Sequence, residues 1–144
     1  MSMEKELLNT FDKELLFKDL SSRLPYGVKV NGLFLTYDKD KDKILYKECV
    51  KELNYSHLSR YWTLKPYLFP LSSMTDKDLI GFLQIKGLNL NSDELKTFRR
   101  EPITIVSTLP SYSRHIDWLN KNHFDYRNLI DKNLAIDCTN LNIY

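Results

Sequence analysis

Apolar residues at the start of the chain recur in steps of three and four. Leu7, Leu8, Phe11, Leu15 and Leu16 stand among Glu, Lys and Asp, which predicts a first helix over residues 3–20 with one apolar stripe and one solvated face. That helix must end before Pro25, because proline disfavours helical geometry in the residue before it, and Tyr26-Gly27 then supplies a turn. From Val28 to Tyr37 the chain is β-branched, aromatic and aliphatic. The charged run Asp38-Lys39-Asp40-Lys41-Asp42-Lys43 separates this stretch from Ile44-Leu45-Tyr46, the pattern of a hairpin with a charged tip. Asn31-Gly32 is itself a tight-turn pair, so a meander that pairs Val28-Lys29-Val30 with Leu33-Phe34-Leu35 is the alternative. Residues 49–53 fit a further strand or a short helix, and Tyr61-Trp62-Thr63-Leu64 reads as extended into Lys65-Pro66.

Pro66 and Pro70 bracket Tyr67-Leu68-Phe69, a run expected to be an ordered crossover segment rather than a strand or a helix. Thr75 is placed to cap a helix whose first turn holds Asp76 and Asp78, with residues 79–85 continuing it to a stop at Gly87. Ser92-Asp93-Glu94 opens another short helix running to about Arg100, before Pro102. Residues 103–107, Ile-Thr-Ile-Val-Ser, are strand-like, and Pro110 ends them. Ser111 or Ser113 can cap a helix carrying Ile116, Trp118 and Leu119. A further helical turn from Asp125 would bury Tyr126, Leu129 and Ile130, and Leu134-Ala135-Ile136 closes as a short strand. No internal repeat, linker or second composition zone interrupts the chain. The expectation is therefore one α+β domain over residues 1–144, a small antiparallel sheet with N-terminal and C-terminal helices packed on it.

Composition sharpens this picture. The chain has 144 residues, 42% hydrophobic and 28% charged, with nine Tyr, seven Phe and two Trp. That length supports one real core, burying roughly 68–70% of the unfolded surface, and the aromatics supply rigid packing units. A net charge of +2 gives no strong footprint for duplex nucleic acid or anionic lipid. Cys49 and Cys138 have no disulfide-framework or metal-type spacing, so buried free thiols are expected. The N-terminus lacks a signal-peptide pattern, and no apolar run approaches the ~20 residues of a spanning helix. A soluble cytoplasmic protein without membrane or cofactor is the resulting expectation.

Candidate chemistry is sparse. Asp38, Asp40 and Asp42 imitate the first ligands of a calcium loop, yet Lys43 occupies the glycine position and Cys49 the bidentate glutamate position, so a solvated hairpin tip is expected. His115 and His123 would lie about 80° apart on a continuous helix and over two turns along it, too remote for one ion. His123 suits a helix end, and His57 a structural or surface site. Ser72-Ser73 lacks a nucleophile elbow, and four glycines in the whole chain make no phosphate cradle. Asp125 fits a capping role. A basic and aromatic set, Arg99, Arg100, Tyr112, Arg114, Trp118, Tyr126 and Arg127 with Lys96 and Lys121 nearby, combines arginine forks for phosphate with ring faces for bases. It is the candidate ligand-binding surface, although Trp118 and Tyr126 also fit a core.

Three segments resemble a known group of proteins: Arg23-Leu24-Pro25-Tyr26-Gly27-Val28; residues 65–75, Lys-Pro-Tyr-Leu-Phe-Pro-Leu-Ser-Ser-Met-Thr; and residues 116–130, Ile-Asp-Trp-Leu-Asn-Lys-Asn-His-Phe-Asp-Tyr-Arg-Asn-Leu-Ile, closed by Leu134-Ala135-Ile136. They resemble small proteins of phages, prophages and mobile elements of anaerobic gut bacteria, a family without an assigned activity. The resemblance implies context alone: a phage-type accessory protein inside a bacterial cell. With no nucleophile, metal or acid–base constellation and a surplus of aromatics, the leading expectation is a non-enzymatic binder that engages a host protein or sequesters a nucleotide-like ligand. The alternatives are a small hydrolase or nucleotide-processing enzyme using His115, Asp117, His123 and Asp125, and a structural homo-oligomer.

Overall fold

The computed structural model describes residues 8–83 and 113–144. The expected helix from Ser92 to Arg100 and the expected strand at 103–107 lie outside them. The chain is α+β, with a small mixed sheet of five strands and helices in its N-terminal and C-terminal parts. It packs as two compact units, Met1–Tyr67 with Ile143–Tyr144, and Leu68–Asn142.

In the first unit, α1 spans Thr10–Arg23. It begins later than its apolar spacing predicts because Asn9 caps it, its carboxamide oxygen accepting from the Asp12 amide at 2.7 Å and satisfying an otherwise orphaned donor. It ends where Pro25 requires: Leu24–Tyr26 tighten into a 3-10 turn with the proline in its first positions, and Gly27 adopts φ +74°, the left-handed geometry glycine tolerates best. The buried face also differs from the predicted stripe. Leu16 and Leu20 are buried with Asp19 and Arg23, while Phe11 is 65% exposed. Asp19 and Arg23 neutralise each other across one turn, Nε to Oδ2 at 2.8 Å with both side chains fully buried, so two charged positions take the place periodicity reserves for apolar ones.

Strands β1 (Lys29–Asp38) and β2 (Lys43–Glu52) form the predicted hairpin, paired without interruption from Lys29 opposite Glu52 to Asp38 opposite Lys43. Residues 49–52 are thus the continuation of β2. The Asp38 carboxylate folds the tip by accepting the amides of Asp40 at 2.9 Å and Lys41 at 3.2 Å. Asn31-Gly32 makes no turn; the pair lies inside β1 opposite Val50 and Cys49. A Cβ on Gly32 would come within 2.5 Å of Leu64 Cδ2, so glycine is there for close packing. A 3-10 segment follows over Tyr55–Thr63 and contacts α1. Tyr61, Trp62 and Thr63, expected to be extended, belong to it. Asn54 caps its start through the Ser56 amide, and the Ser59 and Thr63 hydroxyls donate to the carbonyls of Ser56 and Arg60 at 3.1 and 2.8 Å. Such local bonds outweigh the β propensity of the aromatics.

β3 (Lys65–Pro70) corrects the crossover expected there. It pairs antiparallel with β1 at Val30–Pro66 and Asn31–Lys65, and parallel with β4 (Phe124–Asp125) at Phe69–Phe124 and Pro70–Asp125. Proline is tolerated because both rings sit next to or at a strand end, leaving the amide of Phe69 free to donate to the His123 carbonyl at 2.8 Å. The Leu68 carbonyl accepts from Cys138 beside β5 (Ile136–Asp137).

In the second unit, α2 (Asp76–Leu83) starts at the predicted cap. The Asp78 amide donates to the Thr75 hydroxyl at 3.1 Å, and the Thr75 amide to the Asp78 carboxylate at 3.0 Å, a reciprocal pair that satisfies two donors. α3 (Ser113–Lys121) carries Ile116, Trp118 and Leu119 as expected. The core of this unit is Leu71, Phe82, Leu119 and Phe124, with Phe69, Met74, Ile116, Trp118 and Tyr126 packed against it. The helical turn expected from Asp125 is absent. The Asp125 carboxylate accepts the amides of Leu129 and Ile130 at 3.0 and 2.9 Å, holding a loop in which Asn128 and Asn133 take positive φ.

Breaking the buried pair in α1 gives a direct test of this core. Arg23→Met, which leaves Asp19 without its guanidinium, is expected to lower unfolding free energy by about 3–5 kcal/mol in urea titration, and Asp19→Leu with Arg23→Met to recover part of that loss.

Candidate functional site

Alternation along β1 divides the hairpin into two faces. Val30, Gly32 and Phe34 are buried on the inner face, and Leu33, Leu35 and Tyr37 are exposed on the outer one. Across the ladder Tyr37 faces Ile44, Leu35 faces Tyr46, Leu33 faces Glu48 and Asn31 faces Val50. Six large apolar side chains, Leu33, Leu35, Tyr37, Ile44, Tyr46 and Val50, therefore share one side of the hairpin, and their exposures run from 42% to 66%. Contiguous exposed apolar surface of this extent marks interaction sites more often than inert surface.

The inner side of β2 makes the pattern more telling. Lys43, Lys47 and Lys51 stand opposite Asp38, Phe34 and Val30, on the side where β1 turns its buried residues. Lys47 reaches Asp38 at 3.9 Å, and the Lys51 ammonium lies 5.7 Å from the Phe34 ring centre. β2 thus mixes two characters on its inner side, where its half-buried residues Leu45 and Cys49 alternate with the three lysines, and it turns Ile44, Tyr46 and Val50 outward with Glu48. β2 is also the terminal strand of the sheet, and inward-pointing charges on an edge strand oppose the addition of another strand there. The open face, rather than the open edge, is what the hairpin presents.

Around the inner ring, Phe34 meets His57 at 5.0 Å between centroids and the Arg60 guanidinium at 4.9 Å. Arg60 also donates to the Leu33 carbonyl at 2.6 Å, tying the 3-10 segment to β1. The His57 imidazole accepts from the Asn54 amide at 3.1 Å. Burial first, then the positive charges of Arg60 and Lys51, hold the His57 pKa below its ordinary 6.5. On the outer face the Tyr37 hydroxyl donates to Asp42, which raises the phenol pKa above 10.0, with a smaller contribution from desolvation.

The basic and aromatic set expected to bind a ligand is placed as follows. Lys96, Arg99, Arg100 and Tyr112 lie outside the described residues, and of Arg114 and His115 the backbone alone is described, inside α3. Trp118 stacks on Phe124 with ring centres 5.7 Å apart and planes 5° apart, and meets Phe82 edge-on at 5.4 Å. The Tyr126 hydroxyl donates to the buried Asn120 at 2.8 Å, and Arg127 lies 4.6 Å over its ring. Trp118, Tyr126 and Arg127 thus come together around the second unit's core, with their ring faces engaged by neighbours in the chain. Of the residues expected for hydrolysis, Asp117 is exposed, His123 closes α3 at φ +64°, and Asp125 is committed to backbone amides. Among the described residues no His, Cys, Asp and Glu side chains gather into a group that could hold a metal ion, and no helix is long and apolar enough to cross a membrane. Cys138 is fully buried, which together with the charge of Asp137 pushes its thiol up to about 11; Cys49 is half-buried.

The outer-face residues were hidden by the ordinary rule that a strand's apolar side faces the core. The lysines at every fourth position of β2 were the available clue, since they put all three lysines on one parity and Ile44, Tyr46 and Val50 on the other. No family model, curated protein or solved structure matches the chain.

The lowered His57 pKa fixes a pH dependence. The folded chain resists protonation more than the unfolded one, so stability contributed by the neutral imidazole is complete above pH 6.5 and declines as pH falls through that value. NMR titration is expected to place His57 below 6.5 and to show it rising toward the ordinary value in Arg60→Ala; an unshifted His57 would contradict the geometry.

Proposed function

We propose that this protein is a non-enzymatic binding protein that docks another protein chain on the outer face of its β1–β2 hairpin. The observation that carries the reading is the row of six large apolar side chains, Leu33, Leu35, Tyr37, Ile44, Tyr46 and Val50, exposed on one side of the hairpin. Burying large apolar side chains against a partner is favourable by roughly 25 cal/mol per Å² of area removed from water, and tyrosines add rigid surface at low entropic loss. This reading is favoured over sequestration of a nucleotide-like ligand because the ring faces of Trp118 and Tyr126 are engaged by Phe124, Phe82 and Arg127. In the phage-type context that the sequence resemblance implies, such a protein would act in the bacterial cytoplasm by occupying its partner rather than by turnover.

Carbene footprinting in expressing cells tests it, with Tyr55, 81% exposed, as the internal control. Leu35, Tyr37, Ile44 and Tyr46 are expected to label several-fold less than their exposure in the isolated chain implies, while Tyr55 labels fully. Labelling of the outer face in proportion to its exposure would overturn the docking function.

A further inference from the structure

We propose that Tyr144 is a latch in the sheet: its hydroxyl sits inside the β1–β3 ladder in place of one backbone hydrogen bond, and its release lets that bond close. The device stands apart from the docking function, since none of its bonds needs a partner chain.

The register locates the inserted group. β1 and β3 pair at Asn31–Lys65 and Val30–Pro66, so the next row sets Lys29 opposite Tyr67. The Leu53 amide donates to the Val28 carbonyl at 2.9 Å, which turns the hydrogen-bonding groups of Val28 toward β2. Successive residues of a strand inside a sheet turn these groups to opposite neighbours, so those of Lys29 point toward β3. In a regular ladder the Lys29 amide would donate straight to the Tyr67 carbonyl. It donates instead to the Tyr144 hydroxyl at 2.8 Å, and that hydroxyl donates to the Tyr67 carbonyl at 2.8 Å. Two bonds in series thus span a gap that one bond of about 2.9 Å would close.

The chemistry of the phenol makes this a switch. A hydroxyl both donates and accepts, so it relays between an N–H and a C=O without leaving either unpaired. With the latch withdrawn, the Lys29 amide and the Tyr67 carbonyl satisfy each other. Both arrangements pair the same two backbone groups, so neither incurs the penalty of an orphaned one. The balance falls to the groups that hold the latch, among them the Lys29 side chain. Its ammonium donates to the Ile143 carbonyl at 2.9 Å and lies 5.9 Å from the centre of the Tyr144 ring. Tyr144 remains 41% exposed and residues 139–142, which lead to it, are exposed, so withdrawal uncovers little apolar surface. Meanwhile the Asn31 carboxamide donates to the Tyr67 hydroxyl at 3.1 Å, a tie between the strands that the latch does not share. Because Lys29 opens β1 opposite Glu52, the latch sets how closely the base of the hairpin is drawn to β3.

NMR on the full chain tests this. A scalar coupling across the hydrogen bond, from the Lys29 nitrogen to the Tyr67 carbonyl carbon, reports the direct bond. It is expected to be absent from the dominant state of the wild type. In Tyr144→Phe, which keeps the ring and removes the relay, it is expected to appear, with Lys29 amide exchange within about threefold of the wild type. Relaxation dispersion of the wild type is expected to show Lys29 and Tyr67 in one common exchange on the µs–ms scale, toward a minor state of roughly 1–10%, and to lose it in Tyr144→Phe. Absence of the coupling in Tyr144→Phe overturns the inference, because the hydroxyl is then a fixed rung of the sheet. A wild type without the exchange overturns it as well, and that measurement needs no variant.

Discussion

The inner face of β1 is where the hairpin joins the fold, and Leu64 packs closest to it at Gly32. A side-chain carbon sits 2.5 Å from where a β-carbon would be, so any larger residue facing inward there would have to push the Leu64 methyl aside. Once Gly32 faces in, strict two-residue alternation sends Val30 and Phe34 in and Leu33, Leu35 and Tyr37 out. The ladder to β2 transmits the same parity, placing half-buried Leu45 and Cys49 with three exposed lysines on the inner side and Ile44, Tyr46 and Val50 in water. The parity that packs Gly32 against Leu64 is therefore the one that buries Val30 and Phe34 and displays the outer row.

The two sides of the hairpin solve different problems. On the inner side, the Phe34 ring takes the charged ends of Lys51 and Arg60 over its face, and Arg60 also reaches the Leu33 carbonyl. On the outer side the six apolar residues stand 42% to 66% exposed. The imbalance is tolerable for a binding surface and costly for a free monomer, because exposed strand faces of this hydrophobicity favour association. The second unit shows the contrasting arrangement, its aromatics Phe82, Trp118 and Phe124 turned on one another.

Features set by neighbouring residues were legible in the sequence. The end of α1 before Pro25, the charged hairpin tip, the Thr75 cap and α3 around Trp118 all follow from interactions spanning a few positions. Features set by distant partners were not. β3 reads as a crossover because Pro66 and Pro70 flank it, and it becomes a strand because short ladders from β1 and β4 reach it at its ends. The segment after Asp125 reads as a helix until its carboxylate is seen to gather the amides of Leu129 and Ile130. The outer face escaped because amphipathic reasoning assigns apolar residues to a core, and only the fold says which side the core occupies.

Cys138 has a consequence of another kind. Its amide is bonded to Leu68, its side chain is fully buried, and its thiol is held near 11, so at neutral pH almost none of it is the thiolate that oxidants and alkylating agents attack. It reacts only when the backbone around β3 and β5 opens. The residue is therefore a built-in clock for local breathing of this part of the chain, read by the slow phase of thiol modification against the faster one expected of half-buried Cys49.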